Sequence, residues 1–168
     1  MRPLAKKYNT QYKKRIVERD SYLPRRSPKG IIQCTGCGAF YVRRHWTLIP
    51  PSGFSSPVHA HPIYCPACTK LRDHYPGGEL QLLGVQAGER GEIVRILRNE
   101  EERAREKNPL ERIMRLQEAK GNWKIDTTTE KLAQRLGRSV KKARGGKIAY
   151  KWGHNNKFVR AVWEKRGE

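Results

Sequence analysis

Two segments of the chain repeat apolar residues at the three- and four-residue spacing of an amphipathic helix. The first covers residues 89 to 107 and ends before Pro109, which cannot continue a helix. Its predicted apolar side carries Ile93, Ile96, Leu97 and Ala104. Glu101 and Arg105 lie on another side with i,i+4 spacing.

The second helical segment is "EKLAQRLGRSVKKA". Thr127 and Glu130 have capping-box spacing at its start, and Gly145 and Gly146 follow its end. Its predicted buried face carries Leu132, Leu136, Val140 and Ala143. The opposite face is basic and is predicted to point outward.

Two further stretches alternate apolar and polar residues, which is typical of strands. "ERIMRLQEAKGNWKIDTTT" predicts a hairpin with a Gly-Asn turn, although a helix over its first half is an alternative. "KIAYKWGHNNKFVRAVW" predicts a second hairpin that turns at Gly153 to Asn156. The order αββαββ therefore predicts an α+β domain over residues 78–168, a two-layer sandwich with a four-stranded antiparallel sheet and two helices on one face.

Residues 1–30 show no apolar periodicity and contain ten Lys or Arg, three tyrosines and three prolines. This composition predicts a flexible basic arm that follows a phosphate backbone and offers tyrosine rings to bases. A solubilising tail is the alternative. The arm residues predicted to contact nucleic acid are Lys13, Lys14, Arg15, Arg25 and Arg26.

The chain of 168 residues has a formal net charge of +20, which is more than solubility requires. Residues 1–78 hold 14 basic and 3 acidic residues, residues 79–126 hold 10 of each, and residues 127–168 hold 12 and 3. Two basic blocks around a neutral one indicate a polyanionic partner, although ordinary solvated Lys and Arg are the alternative. No segment has the apolar character of a membrane span or a signal peptide, so a cytoplasmic protein without a membrane partner is expected.

Four cysteines form two CxxC pairs, Cys34 with Cys37 and Cys65 with Cys68. Each pair can direct both sulfurs at one ion, so residues 31–77 are predicted to form a module around one structural zinc ion. Four protein ligands leave no position for water. Free or redox-active cysteines are the alternative.

Enzymatic signatures are missing from the sequence. The "HAH" segment lacks the glutamate of a zinc deaminase, and "ARGGKIA" lacks the leading glycine and the Ser or Thr of a phosphate loop. We therefore expect a non-enzymatic protein without a small-molecule substrate. A histidine-based metal nuclease is a weaker alternative.

Two groups of residues beyond the arm are predicted to contact nucleic acid. The first follows the first cysteine pair, where a rigid knuckle would present cations and an indole ring to unpaired bases: Arg43, Arg44, His45 and Trp46. The second is the basic face of the second helix and its continuation: Lys131, Arg135, Arg138, Lys141, Lys142 and Arg144. For Trp46, a role as cover of the zinc module is the alternative.

The cysteine pairs, with "YCPACTKLRDHYPGG", "RNEEERAREKNPLERI" and "TTTEKLAQRLGRSVKKA", resemble a widespread bacterial family of small zinc-ribbon proteins over most of residues 30 to 165. More distantly, two CxxC knuckles before a small α+β domain look like the N-terminal part of the adaptor that escorts large ribosomal subunits out of the eukaryotic nucleus. This second resemblance implies ribosomal RNA as partner, with the four cysteines as zinc ligands.

The sequence therefore predicts a zinc-dependent RNA-binding protein that associates with ribosomal RNA and ribosomal particles, with ribosomal proteins as further possible contacts. Its predicted role is in ribosome storage (hibernation) or in subunit maturation. Structured RNA is favoured over DNA because no recognition-helix motif with dimer symmetry is visible. A zinc-containing DNA-binding transcriptional regulator is the main alternative.

Overall fold

A five-stranded sheet forms the centre of the larger part of the chain in the computed structural model. The structure describes residue 22 and residues 31–53, 63–153 and 157–165. The strands are β4 (Gly78–Leu83), β5 (Ile113–Ala119), β6 (Asn122–Thr127), β7 (Lys147–Trp152) and β8 (Val159–Glu164). They lie in the order β5-β6-β4-β8-β7, and β4 runs parallel to β8 while the other neighbours are antiparallel.

The cysteine module has a small sheet of its own. Strands β1 (Ile32–Gln33), β2 (Phe40–Val42) and β3 (His45–Thr47) pair in sequence order and antiparallel. The second cysteine pair leads into the short helix α1 (Pro66–Arg72). Because these elements are two to seven residues long, they depend on the cysteine cluster for much of their packing.

Two longer helices complete the α+β part of the chain. Helix α2 (Arg90–Lys107) follows a 3-10 turn at Ala87–Glu89, and helix α3 (Glu130–Arg144) follows β6. Helix α3 packs on the sheet and α2 packs against α3. Gly137 allows the close approach of α3 to the sheet, since a Cβ atom there would lie 2.4 Å from Cδ1 of Ile148. The two helices and the two hairpins predicted from the sequence are confirmed.

The predicted four-stranded antiparallel sheet is wrong, because it omits β4. This strand pairs with β6 on one side and with β8 on the other, so that it joins two hairpins that would otherwise leave their inner edges unpaired. The observed order is βαββαββ and the sheet is mixed. The α+β class is confirmed.

Three local predictions need correction. Helix α3 is capped by Thr129, whose hydroxyl accepts a hydrogen bond from the Leu132 amide at 3.2 Å, whereas the predicted cap Thr127 ends β6. The turn of the first hairpin is Lys120–Gly121, both with positive φ, and Asn122 already belongs to β6. Ala143 is exposed because it lies in the last turn of α3. Of the predicted turn of the second hairpin, Gly153 to Asn156, residues 154–156 lie outside the described residues.

A buried carboxylate connects the start of α2, the end of α3 and the end of β8. Glu89, directly before α2, pairs with Arg144 at the end of α3 and with Lys165 after β8. The hydrogen bond from Lys165 and, to a smaller extent, the one from Arg144 lower the pKa of Glu89 to about 2. Arg144 is therefore committed to an internal contact. In the part of the chain that the structure describes, none of the helices has the length and apolar content to cross a membrane.

Candidate functional site

The four cysteine sulfurs form one cluster. All four Sγ atoms lie within 4.8 Å of one another, and Cys37 Sγ lies 3.7 Å from Cys65 Sγ. A tetrahedron of sulfurs about 2.3 Å from a central ion has an edge of about 3.8 Å. The donor set and its spacing therefore fit one tetrahedrally bound metal ion.

The first cysteine pair is shaped by a tight turn between β1 and β2. The Cys34 amide donates to the Ala39 carbonyl at 2.7 Å, and the Gly38 amide donates to the Cys34 carbonyl at 2.8 Å. Gly36 lies against the cluster, because a Cβ atom there would approach Cys68 Sγ to 3.0 Å. The glycine lets the backbone pass close to the sulfurs.

The second cysteine pair is shaped by the start of α1. Cys65 is the N-cap residue, Pro66 opens the helix, and the Cys68 amide donates to Cys65 Sγ at 3.4 Å. The Cys65 amide also donates to Cys34 Sγ at 3.2 Å and so connects the two pairs. Backbone amides thus donate hydrogen bonds to two of the four sulfurs, as they commonly do to cysteine ligands of a metal ion.

The thiols influence one another strongly. Hydrogen bonding from Cys65 lowers the pKa of Cys37 to about 4, and the same hydrogen bond raises the pKa of Cys65. Burial raises the pKa of Cys68 to about 11. A metal ion that binds all four sulfurs as thiolates has to displace the protons held by Cys65 and Cys68.

The cluster touches the α+β domain through the segment that follows α2. Arg112 Nη1 donates to Cys68 Sγ at 3.3 Å, and Leu110 packs against the cysteines. Lys70 of α1 donates to the carbonyl of Thr128 at 3.3 Å, next to the start of α3. The cysteine cluster therefore has a charged hydrogen-bond donor from outside its own module. Nothing in the sequence pattern marked Arg112 for this contact.

We expect Arg112→Met to lower zinc affinity by about 10-fold to 100-fold, because it removes a charge-assisted hydrogen bond to a ligand sulfur. Arg72→Met is the matched control: it removes the same charge from α1, but Arg72 pairs with Asp73 and is exposed. Competition with a chromophoric chelator measures both affinities. Equal affinities of the two variants would show that the Arg112 contact does not stabilise the bound ion.

The predicted knuckle cations lie at the tip of the β2–β3 hairpin. Val42 pairs with His45, so Arg43 and Arg44 form the two-residue turn, and both are exposed with φ of 47° and 70°. Non-glycine residues in this left-handed region cost roughly 1–2 kcal/mol each. The turn thus holds two guanidinium groups where Asn-Gly is the usual solution.

A cleft of about 470 Å³ lies between this hairpin and the end of α2. Arg44, His45 and Trp46 line it from the module, and Lys107 and Leu110 line it from the domain. Trp46 is partly buried, contacts Tyr41 at 5.2 Å between ring centroids, and packs against the cysteine cluster. Trp46 therefore covers the module and lines the cleft at once.

The predicted basic face of α3 divides into two groups. Lys131, Arg138, Lys141 and Lys142 are exposed. Arg135 does not point outward as predicted: it binds Glu100 at 2.9 Å and Glu111 at 3.4 Å, and a quarter of its side chain is exposed. Together with Arg144, it connects α3 to acidic residues from the neutral central block.

The remaining predicted nucleic-acid contacts, Lys13, Lys14, Arg15, Arg25 and Arg26, lie outside the described residues. Of the arm, Tyr22 alone is described, and its ring stacks on Tyr75 at 5.3 Å. Of the histidines around the cysteines, His45 and His74 are described and exposed, and neither joins the cluster. Within the described ranges, the four cysteines are the one group of potential metal ligands.

The chain matches no protein-family model, no curated protein and no solved structure. The zinc-ribbon family and the ribosomal relation predicted from the quoted segments are therefore not confirmed. What the structure supports is the four-cysteine cluster on which both resemblances depend.

Proposed function

We propose that the protein binds one structural zinc ion, which orders the cysteine module, and that its exposed basic surface docks on ribosomal RNA. The observation that carries this proposal is the exposed cationic face of α3, formed by Lys131, Arg138, Lys141 and Lys142. Four acidic residues near this helix, Glu89, Glu92, Glu100 and Glu111, are already paired with Arg135 or Arg144, so they do not neutralise that face. The proposed role is non-enzymatic, in storage of idle ribosomes or in subunit maturation.

Zinc is the favoured ion because four thiolates in a tetrahedral arrangement select zinc or iron, and zinc commonly fills structural four-cysteine sites. Such a site is closed to water and substrate. In this proposal the ion orders the module, and the module presents the Arg43–Arg44 turn and the adjoining cleft.

The Arg43–Arg44 turn supports a binding role because its backbone conformation disfavours arginine. Strained backbone retained at an exposed tip is typical of functional sites. Two guanidinium groups at a fixed tip suit phosphate binding and stacking on unpaired bases. RNA is favoured over DNA because these features form an irregular surface rather than a recognition helix for the major groove.

Centrifugation with purified ribosomal particles through sucrose tests the proposal. We expect the protein to sediment with particles at low salt, and to be released by ribonuclease or by high salt. The Arg43→Asn, Arg44→Gly variant should fold at least as well, since it restores a favoured turn, yet bind RNA about 3-fold to 10-fold more weakly.

Protein that stays at the top of the gradient at low salt would contradict ribosome association. Tighter binding to duplex DNA than to ribosomal RNA fragments would favour a DNA-binding regulator instead. A turn variant with unchanged RNA affinity would assign Arg43 and Arg44 to the solvated surface.

A further inference from the structure

Two large aromatic residues are exposed on the edge strand β7. Tyr150 is 36% exposed and Trp152 is 48% exposed. Tyr150 lies opposite Ala161 and Trp152 lies opposite Val159, and both partners are fully buried. The two aromatic side chains therefore lie on the face of the sheet that carries the core, at an edge that the described helices leave open.

The aromatic pair lies beside the basic face of α3. Ile148, two residues before Tyr150 and on the same face of β7, meets α3 at Gly137. At 100° per residue, Lys141 lies about 40° around the helix from Gly137 and Arg138 about 100°. Leu136 and Val140 lie around the helix from Gly137 in the opposite direction, and both are buried. The two cations are therefore on the side of α3 that faces solvent next to the β7 edge.

The surroundings of the pair are strongly cationic. Residues 131–153 contain eight Lys or Arg and not one Asp or Glu. Two of the eight, Arg135 and Arg144, form internal ion pairs. The other six are exposed. Four are on α3, namely Lys131, Arg138, Lys141 and Lys142, and two, Lys147 and Lys151, are on the opposite face of β7 from the aromatic pair.

A ligand for this surface has to combine negative charge with flat apolar faces. Single-stranded RNA does so, because its phosphates alternate with bases that have a π face. Residues two apart on a strand are separated by about 6.6–6.8 Å, which is close to twice the roughly 3.4 Å between stacked bases. One base between the two rings would therefore contact both.

We propose that Tyr150 and Trp152 form a stacking platform for unpaired RNA bases, and that the exposed cations of α3 hold the adjacent phosphates. This inference rests on the proposed RNA-binding function and names the form of RNA that this surface takes: an unpaired segment such as a loop or an end. Neither aromatic residue was selected from the sequence, although an aromatic pair two residues apart in an acid-free segment is a usable signal.

The test compares two double variants on a short unpaired RNA. Tyr150→Val with Trp152→Val keeps strand-forming residues but removes both rings, whereas Tyr150→Phe with Trp152→Phe keeps two flat faces. Fluorescence anisotropy should show an affinity loss of about 10-fold to 100-fold for the valine pair and of less than about threefold for the phenylalanine pair. An abasic strand of equal length and charge should bind the wild type and the valine pair equally.

Circular dichroism and urea unfolding test whether both variants remain folded, which we expect. Wild-type affinity of the valine pair for unpaired RNA would overturn the platform while leaving RNA binding by other surfaces intact. If the wild type binds no RNA at all, the proposed function itself fails. The same variants are also tested on vesicles rich in anionic lipid. If the valine pair loses vesicle binding but keeps RNA binding, the platform is overturned and the rings are assigned to a membrane surface.

Discussion

Purified Cys65→Ser protein is expected to contain no stoichiometric metal, whereas the unaltered chain is expected to carry about one zinc ion per molecule. Cys65 is buried, caps α1 and contacts the three other cysteines, so its loss removes a ligand and a structural centre together. Structural zinc contributes about 10–16 kcal/mol of apparent binding energy in small modules. Few buried apolar residues remain to replace that contribution.

Elemental analysis and amide hydrogen exchange measure the two consequences. Protection should disappear from residues 31–53 and 63–75 and persist in the five-stranded sheet, whose core is separate from the cysteine cluster. Thr69→Ser is the control, because it keeps the hydroxyl that donates to the Cys65 carbonyl. Metal-free protein obtained without any chelator, or a Cys65→Ser chain that keeps its ion and its protection, would contradict the assignment.

Reversing three exposed charges on α3 is expected to release the protein from RNA. The variant carries Lys131→Glu, Arg138→Glu and Lys142→Glu, which leave the ion pairs of Arg135 and Arg144 in place. If each cation neutralises one phosphate, the slope of log affinity against log salt falls by about 3. Affinity at low salt falls by about 10-fold to several hundredfold.

The matched control reverses three exposed arginines of α2: Arg95→Glu, Arg98→Glu and Arg103→Glu. Each triple variant lowers the formal net charge by six, from +20 to +14, so both lose the same long-range attraction. A specific role of α3 requires a larger loss in the α3 variant. Equal losses of affinity in the two variants would mean that the basic face of α3 acts only through the overall charge of the protein.

The elements predicted from the sequence are those whose signals are local. Helix α2 and the β5–β6 hairpin have apolar patterns that run over more than ten neighbouring residues, and the pattern alone defines their buried faces. Strand β4 has six residues, and its partners β6 and β8 lie more than 40 and 75 residues further along the chain. Its place in the sheet is set by long-range backbone pairing, which no local period shows.

The candidate site shows the same contrast between features with local signals and features that depend on long-range contacts. The cysteine pairs were predictable because each CxxC turn sets the direction of its own two sulfurs. The ion pairs of Arg135 were not, since Glu100 and Glu111 lie 35 and 24 residues away in the chain. The basic face of α3 is smaller than the sequence indicated for that physical reason.

The parallel pair at the centre of the sheet has a consequence for synthesis of the chain. Strand β4 is the first strand of the α+β domain and β8 is the last, yet they lie side by side, with Gly78 opposite Val159. During translation, the edge of β4 that pairs with β8 therefore stays unpaired until almost the whole domain has been made. Leu80 and Leu82 cannot complete their core until then. A chain that stops after β7 holds every other element but lacks the strand that joins β4 to β7, so we expect the domain to complete its fold only after β8 is made and to be prone to aggregation until then.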